Sequence, residues 1–111
     1  MNRFFFATKL GFTKSHVWVK IDTSSLVGKL GITFHGQKLL GDIQALNLPS
    51  IGDSFENNQQ LGQLESQNNI FKLYSPMGMK VKGINQEIFE DYTIINQNSD
   101  SVWILEFLAK D

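Results

Sequence analysis

With 111 residues and 12.6 kDa, the chain is long enough for one hydrophobic core and too short for two, and its 41% apolar and 19% charged residues exclude a disordered tail or a collagen-like repeat. Ten basic against eleven acidic side chains leave a net charge of -1, which provides no bulk field for nucleic acid or an anionic membrane. Cysteine is absent, so disulfides, thiol nucleophiles, iron-sulfur clusters and thiolate zinc sites are excluded together.

The opening Met1 to Lys9 holds Arg3, three consecutive phenylalanines and no acid. It reads either as a very short organelle presequence or as a terminus whose Phe4 to Phe6 pack on the domain edge. The mitochondrial-type matrix and the cytoplasm are both open as locations, and the chain divides into an extension, 1–10, and one domain, 11–111. Residues 1 to 40 carry six basic side chains against Asp22, a balance of +5, while residues 41 to 111 carry four against ten acids, a balance of -6. No apolar run approaches the roughly 20 residues that span a bilayer, so no membrane segment is expected.

Val17 to Asp22 alternates with the two-residue period of a half-buried strand, Val17, Val19 and Ile21 on one face and Trp18 and Lys20 on the other. Leu26 to Thr33 predicts the next strand, with Gly28 and Gly31 as marks of a bulge or bend. Phe34 to Leu40 suits a short helix weakened by Gly36 and stopped by Gly41. Turn signals then recur every eight to twelve residues, the spacing of small sandwiches and barrels. They delimit strands over 42–48, 61–66 and 70–74, the last two forming a hairpin with Gln67-Asn68-Asn69 at its tip, where asparagine tolerates left-handed backbone angles. A further strand over 79–84, a short helix over 85–90 capped by Asn85 and an apolar strand over 102–108 complete a mostly β antiparallel domain with short helices.

Site chemistry is sparse. His16 and His35 stand nineteen positions apart without a chelating spacing, which predicts ordinary surface roles and no multi-histidine metal site. Ser66, His16 and Asp42 lack the sequence around a nucleophile elbow, and Asp53-x-x-Glu56 and Glu90-Asp91 are too few for a calcium loop. The aromatics, Trp18, Phe55, Phe71, Tyr74, Trp103 and Phe107 among them, fall at strand spacing and suit a core better than a base-stacking platform.

From Gly11 to Leu108 the chain resembles the H protein of the glycine cleavage system. Phe12-Thr13-Lys14-Ser15-His16-Val17-Trp18-Val19 is similar to that family's aromatic-T-K-x-H-E-W-V opening. Gly31-Ile32-Thr33, Leu40-Gly41-Asp42-Ile43, Leu48-Pro49, Gly52-Asp53, Gly62, Glu65-Ser66, Leu73-Tyr74-Ser75-Pro76, Asn85, Asn96 and Trp103 follow in the family's order. The resemblance implies a lipoyl-domain-like barrel-sandwich hybrid of two small antiparallel sheets. It also implies a carrier without an active site of its own. A lysine within E-S-V-K-A would hold a lipoyl arm that serves a glycine decarboxylase, an aminomethyltransferase and a dihydrolipoyl dehydrogenase.

Here the corresponding stretch is Glu65-Ser66-Gln67-Asn68-Asn69, which puts Asn68 at the lysine position. A carboxamide nitrogen is delocalised into its carbonyl and is no nucleophile, whereas a deprotonated lysine amine is one. The next amine along the chain, Lys72, falls in the returning strand about 13 Å from the tip. The expectation is therefore a lipoate-free, H-like module with no cofactor. It would meet the glycine cleavage enzymes or a lipoate-attaching enzyme through Glu65, Asp42 and Asn69. The alternative is a functional lipoyl carrier using Lys72. Other departures are Val17 for an acid, Asn58 and Met79 for glycines, and a short loop, Gln97 to Ser101, that lacks the family's P-Y-G element and with it part of a groove for the loaded arm.

Overall fold

The computed structural model describes residues 8–110. Strands β1 (Thr8–Phe12), β2 (Val17–Asp22) and β3 (Val27–Ile32) open the chain, followed by helix α1 (Phe34–Leu40). A run of short strands comes next: β4 (Ala45–Asn47), β5 (Ser54–Phe55), β6 (Gln60–Glu65), β7 (Ile70–Tyr74) and β8 (Met79–Ile84). Helices α2 (Glu87–Glu90) and α3 (Thr93–Asn98) lead to β9 (Leu105–Ala109). A six-stranded sheet in the order β1-β2-β3-β9-β8-β5 and a three-stranded sheet in the order β4-β6-β7 are antiparallel throughout. The mostly β, two-sheet expectation is met.

One apolar cluster joins them. Val17, Val19, Leu30, Ile32 and Phe107 come from the large sheet, Leu61, Leu64 and Leu73 from the small one, and Ile88 and Ile95 from the short helices. Among the described residues no helix is long and apolar enough to cross a membrane.

The glycines of β3 make room for rings. A Cβ on Gly31 would come within 2.6 Å of the Trp18 ring and one on Gly28 within 2.5 Å of Phe107, while both neighbouring ladders run without a register shift. Bulges thus occur elsewhere, at Gln60/Gly62 and Val81/Gly83. Trp18 departs from the alternation because it is buried, with 4% exposed: its ring lies over Gly31 and its Nε1 donates to the Ser99 carbonyl at 2.8 Å. The Ser99 to Ser101 turn therefore caps the domain, Gln97 and Asn98, expected in the loop, being the end of α3, and Asp100 Oδ1 accepts the Phe34 N–H at 3.0 Å.

Several boundaries move for identifiable reasons. β1 takes in Thr8, Lys9 and Leu10, residues assigned from sequence to the extension, as an edge strand exposed along its length. Phe4 to Phe6 lie outside the described residues. The strand expected over 42–48 shrinks to β4 because its first residues serve as a loop held from α3. The final strand begins at Leu105 rather than Val102. Asn85 is not the cap residue of α2, where Gln86 stands. Instead its buried amide accepts the Glu87 N–H at 3.2 Å and donates to the Trp103 carbonyl at 2.9 Å, linking the turn to the last strand. Helix α3 and the two-residue β5 carry too little periodicity to be read from sequence. α3 is started by Asp91, whose carboxylate accepts the Thr93 hydroxyl and N–H and is thereby held below the usual aspartate value. That support is present above the ordinary carboxylate range and is lost as pH falls through Asp91's lowered value.

Candidate functional site

The hairpin expected around residue 68 forms between β6 and β7, with Glu65 opposite Ile70, Leu64 opposite Phe71 and Gln63 opposite Lys72. Ser66 and Asn69 close the turn: the Ser66 N–H donates to the Asn69 carbonyl at 2.9 Å and the Asn69 N–H to Ser66 Oγ at 3.1 Å. None of residues 66–69 has a positive φ, so the tip does not use the left-handed angles that asparagine tolerates. Asn58 does, at φ 66, whereas Met79 is a buried strand residue without that strain.

Two contacts hold the tip against the rest of the fold. Asn69 Nδ2 donates to the Leu39 carbonyl at the end of α1, 3.3 Å away, and the Gln44 N–H donates to the Glu65 carbonyl at 2.7 Å. α1 can lie this close because Gly36 has no side chain, a Cβ there coming within 3.0 Å of Ile32 and Phe71. Thr33 Oγ1 caps the helix start on the Gly36 N–H and Gly41, at φ 88, ends it.

Between α1 and the tip lies an open, polar cleft of about 310 Å³, lined by Lys38, Asp42, Gln44, Ser66, Asn68 and Asn69 among others. Asn68 and Asn69 are exposed, as is Asp42 on the opposite lip. Of the residues expected to form a surface, the structure brings these three to one cleft. Glu65 stands beside it, half-buried on β6, with its Oε2 accepting from Gln63 Nε2 at 3.1 Å. Lys72 is exposed on β7 outside the cleft. The amine that shares the cleft with Asn68 is Lys38, from the last turn of α1. Sequence reasoning missed it because thirty positions separate the two, and only the packing of α1 on the hairpin brings them together.

Asp42 is presented by one buried-side clamp. The Asn96 side chain on α3 donates through Nδ2 to the Gly41 carbonyl at 2.8 Å and accepts the Ile43 N–H on Oδ1 at 3.2 Å, so both peptides flanking Asp42 are held by one amide. Asn96→Ala leaves both groups without this partner. A loss of about 1–2 kcal/mol of stability is expected, read by thermal melting, with amide shifts of residues 41–43 marking the altered lip.

The two histidines are not kept apart by their sequence spacing. His16, in the turn before β2, and His35, on α1, have ring centroids 4.8 Å apart. Among the described residues no group of three or more His, Cys, Asp or Glu side chains could hold a metal ion.

Residues 10–111 match the family model described as glycine cleavage H-protein. The glycine cleavage system H protein of Herpetosiphon aurantiacus is 35% identical over 100 residues, covering 89% of this chain and 76% of the relative. That of Listeria monocytogenes is 36% identical over 96 residues, covering 86% and 75%. The crystal structure of a glycine cleavage system H protein from Mycobacterium marinum superposes with a TM-score of 0.85 over 91% of this chain and 84% of that one. At 22% identity it shows the shared lipoyl-domain-like fold. The chain belongs to the glycine cleavage H-protein family, whose members are carriers rather than catalysts.

Proposed function

We propose that this chain is a lipoate-free H-like protein, a binding module that docks on an enzyme of glycine cleavage or on a lipoate-attaching enzyme through the cleft beside its hairpin tip. The observation that carries the reading is Asn68: the turn Ser66 to Asn69 offers hydroxyl and carboxamide groups and no amine. Amide attachment of lipoate needs a nitrogen lone pair free to attack the activated carboxyl carbon, and a carboxamide lacks one. Lys72 points from a strand rather than a turn, and Lys38 belongs to a helix, so neither reproduces an amine on a hairpin tip. The polar cleft, the fixed tip and the presented Asp42 are what a docking surface needs, with or without an arm.

The first test is chemical. Co-expression with a lipoate ligase and lipoate, followed by digestion and mass spectrometry, is expected to show no lipoyl adduct on the chain. An adduct at good occupancy on Lys72, Lys38 or any other lysine overturns the reading and makes the chain a loaded carrier.

The second test concerns docking. Glu65 is the acid next to the tip, whereas Glu106 lies on β9 in the large sheet, paired with Lys29 and Gly83. Glu65→Lys is expected to weaken association with the decarboxylase, the aminomethyltransferase, the dihydrolipoyl dehydrogenase or the lipoate-attaching enzyme more than Glu106→Lys does. Where charge steers the encounter, raised salt slows association by roughly tenfold. Equal effects of the two reversals, or binding to none of these enzymes, remove the docking surface.

A further inference from the structure

Away from the cleft, two side chains that the docking surface does not use are brought together by tertiary structure. The His16 and His35 rings have centroids 4.8 Å apart with planes inclined by 56°. Two imidazoles on one ion, each with a metal–nitrogen distance of about 2.0–2.1 Å and a near-tetrahedral or right angle between them, place their centroids roughly 5 Å apart. The observed separation falls in that range.

Both rings ride on fixed backbone. His16 has φ 66, a left-handed conformation that a non-glycine residue keeps only when its surroundings hold it. Its N–H donates to the Thr13 carbonyl at 3.2 Å, and its own carbonyl accepts the Thr33 N–H at 2.9 Å. His35 sits in the first turn of α1, anchored by the Thr33 cap and by Asp100 on the Phe34 N–H. Gly36 lets the two segments approach, since a Cβ there would come within 2.8 Å of His16 Cβ. Among the described residues neither imidazole is engaged in a hydrogen bond or an ion pair.

We propose that His16 and His35 form a bidentate site for a divalent transition-metal cation of the imidazole-preferring class, such as Zn²⁺, with water in the remaining positions. Imidazole suits such ions better than it suits magnesium or calcium, which take oxygen ligands. With two protein ligands the ion is held in exchange rather than locked in, and His35 is exposed and His16 half-buried. The site is separate from the hairpin cleft, so it stands or falls independently of the docking reading.

The test uses the untagged full chain titrated with zinc chloride. Because the chain has only two histidines, their ring-proton resonances report the site directly. Saturation at one zinc per chain, with both sets of ring signals moving together, is expected. His35→Ala, on an exposed helix position, and His16→Asn, which tolerates the left-handed backbone, are each expected to lower affinity at least about tenfold. No shift up to millimolar zinc, movement of one ring alone, or unchanged affinity in His35→Ala overturns the proposal. If His16→Asn fails to fold, His35→Ala decides alone.

Discussion

Asn68→Lys, co-expressed with a lipoate ligase and lipoate, is expected to gain one lipoyl group per chain where the parent gains none. The change puts an amine on the tip: its ammonium loses one proton to solvent to free the lone pair, Nζ then bonds the acyl carbon as the activating group leaves with the electron pair of the bond it broke, and a second proton passes from Nζ to solvent to leave the neutral amide. Nothing in the turn resists the lysine. Residues 66–69 have no left-handed backbone angle, and the bonds that close the turn belong to Ser66 and Asn69. Asn68 itself is exposed, so a four-carbon stem extends into solvent. Intact mass and peptide mapping check the result. A folded variant that stays unmodified means that the surface at Gln67 and Asn69 no longer presents the tip to the ligase, and removes the lipoate-attaching enzyme from the proposed partners.

Phe107→Ala is expected to have the largest effect on stability. Phe107 lies in β9 with no exposed surface and packs on Gly28 of β3, opposite in the ladder. Gly28 has no side chain to fill the space, and the paired strands β3 and β8 cannot close inward without breaking their register with β9. Truncation therefore leaves a cavity that persists and costs about 3–5 kcal/mol, a large share of the ~5–15 kcal/mol that holds a domain together. Melting should fall by roughly 15 °C or more. A loss under about 1 kcal/mol would mean that the two layers repack across the gap.

Strand period and turn chemistry were enough to find most of the large sheet and the hairpin, because Val17 and Val19 recur at the two-residue spacing that a pleated surface buries on one side and the polar Gln67-Asn68-Asn69 corner separates two short apolar runs. α1 was legible from Phe34 to Leu40 because Gly41 stops it. What period cannot carry is a residue whose environment comes from far along the chain. Trp18 counts as solvent-facing until a loop eighty-one positions away covers it, and Asn96 is an ordinary polar residue until it clasps the peptides around Asp42. The site divides in the same way. Asn68, Asn69 and Asp42, which line one cleft, were singled out through the order of family motifs, whereas Lys38 and the meeting of His16 with His35 depend on α1 lying against two other segments. Glycines were misread for a related reason: Gly28 and Gly31 look like breaks in a strand, and their use is to accept a ring from another one.

The strand order has a bearing on how the molecule is made. β9, from residues 105–109, lies in the middle of the six-stranded sheet, between β3 and β8. During synthesis β1, β2 and β3 can pair as soon as they emerge, but β3 and β8 must wait with one edge open until residues 105–109 leave the ribosome. Until then the nascent sheet exposes Leu30 and Val81, residues that the finished fold buries completely or nearly so. Completion is thus a late, single event that fastens both halves at once, and a chain halted before residue 105 is a target for chaperones and proteases rather than a partial carrier.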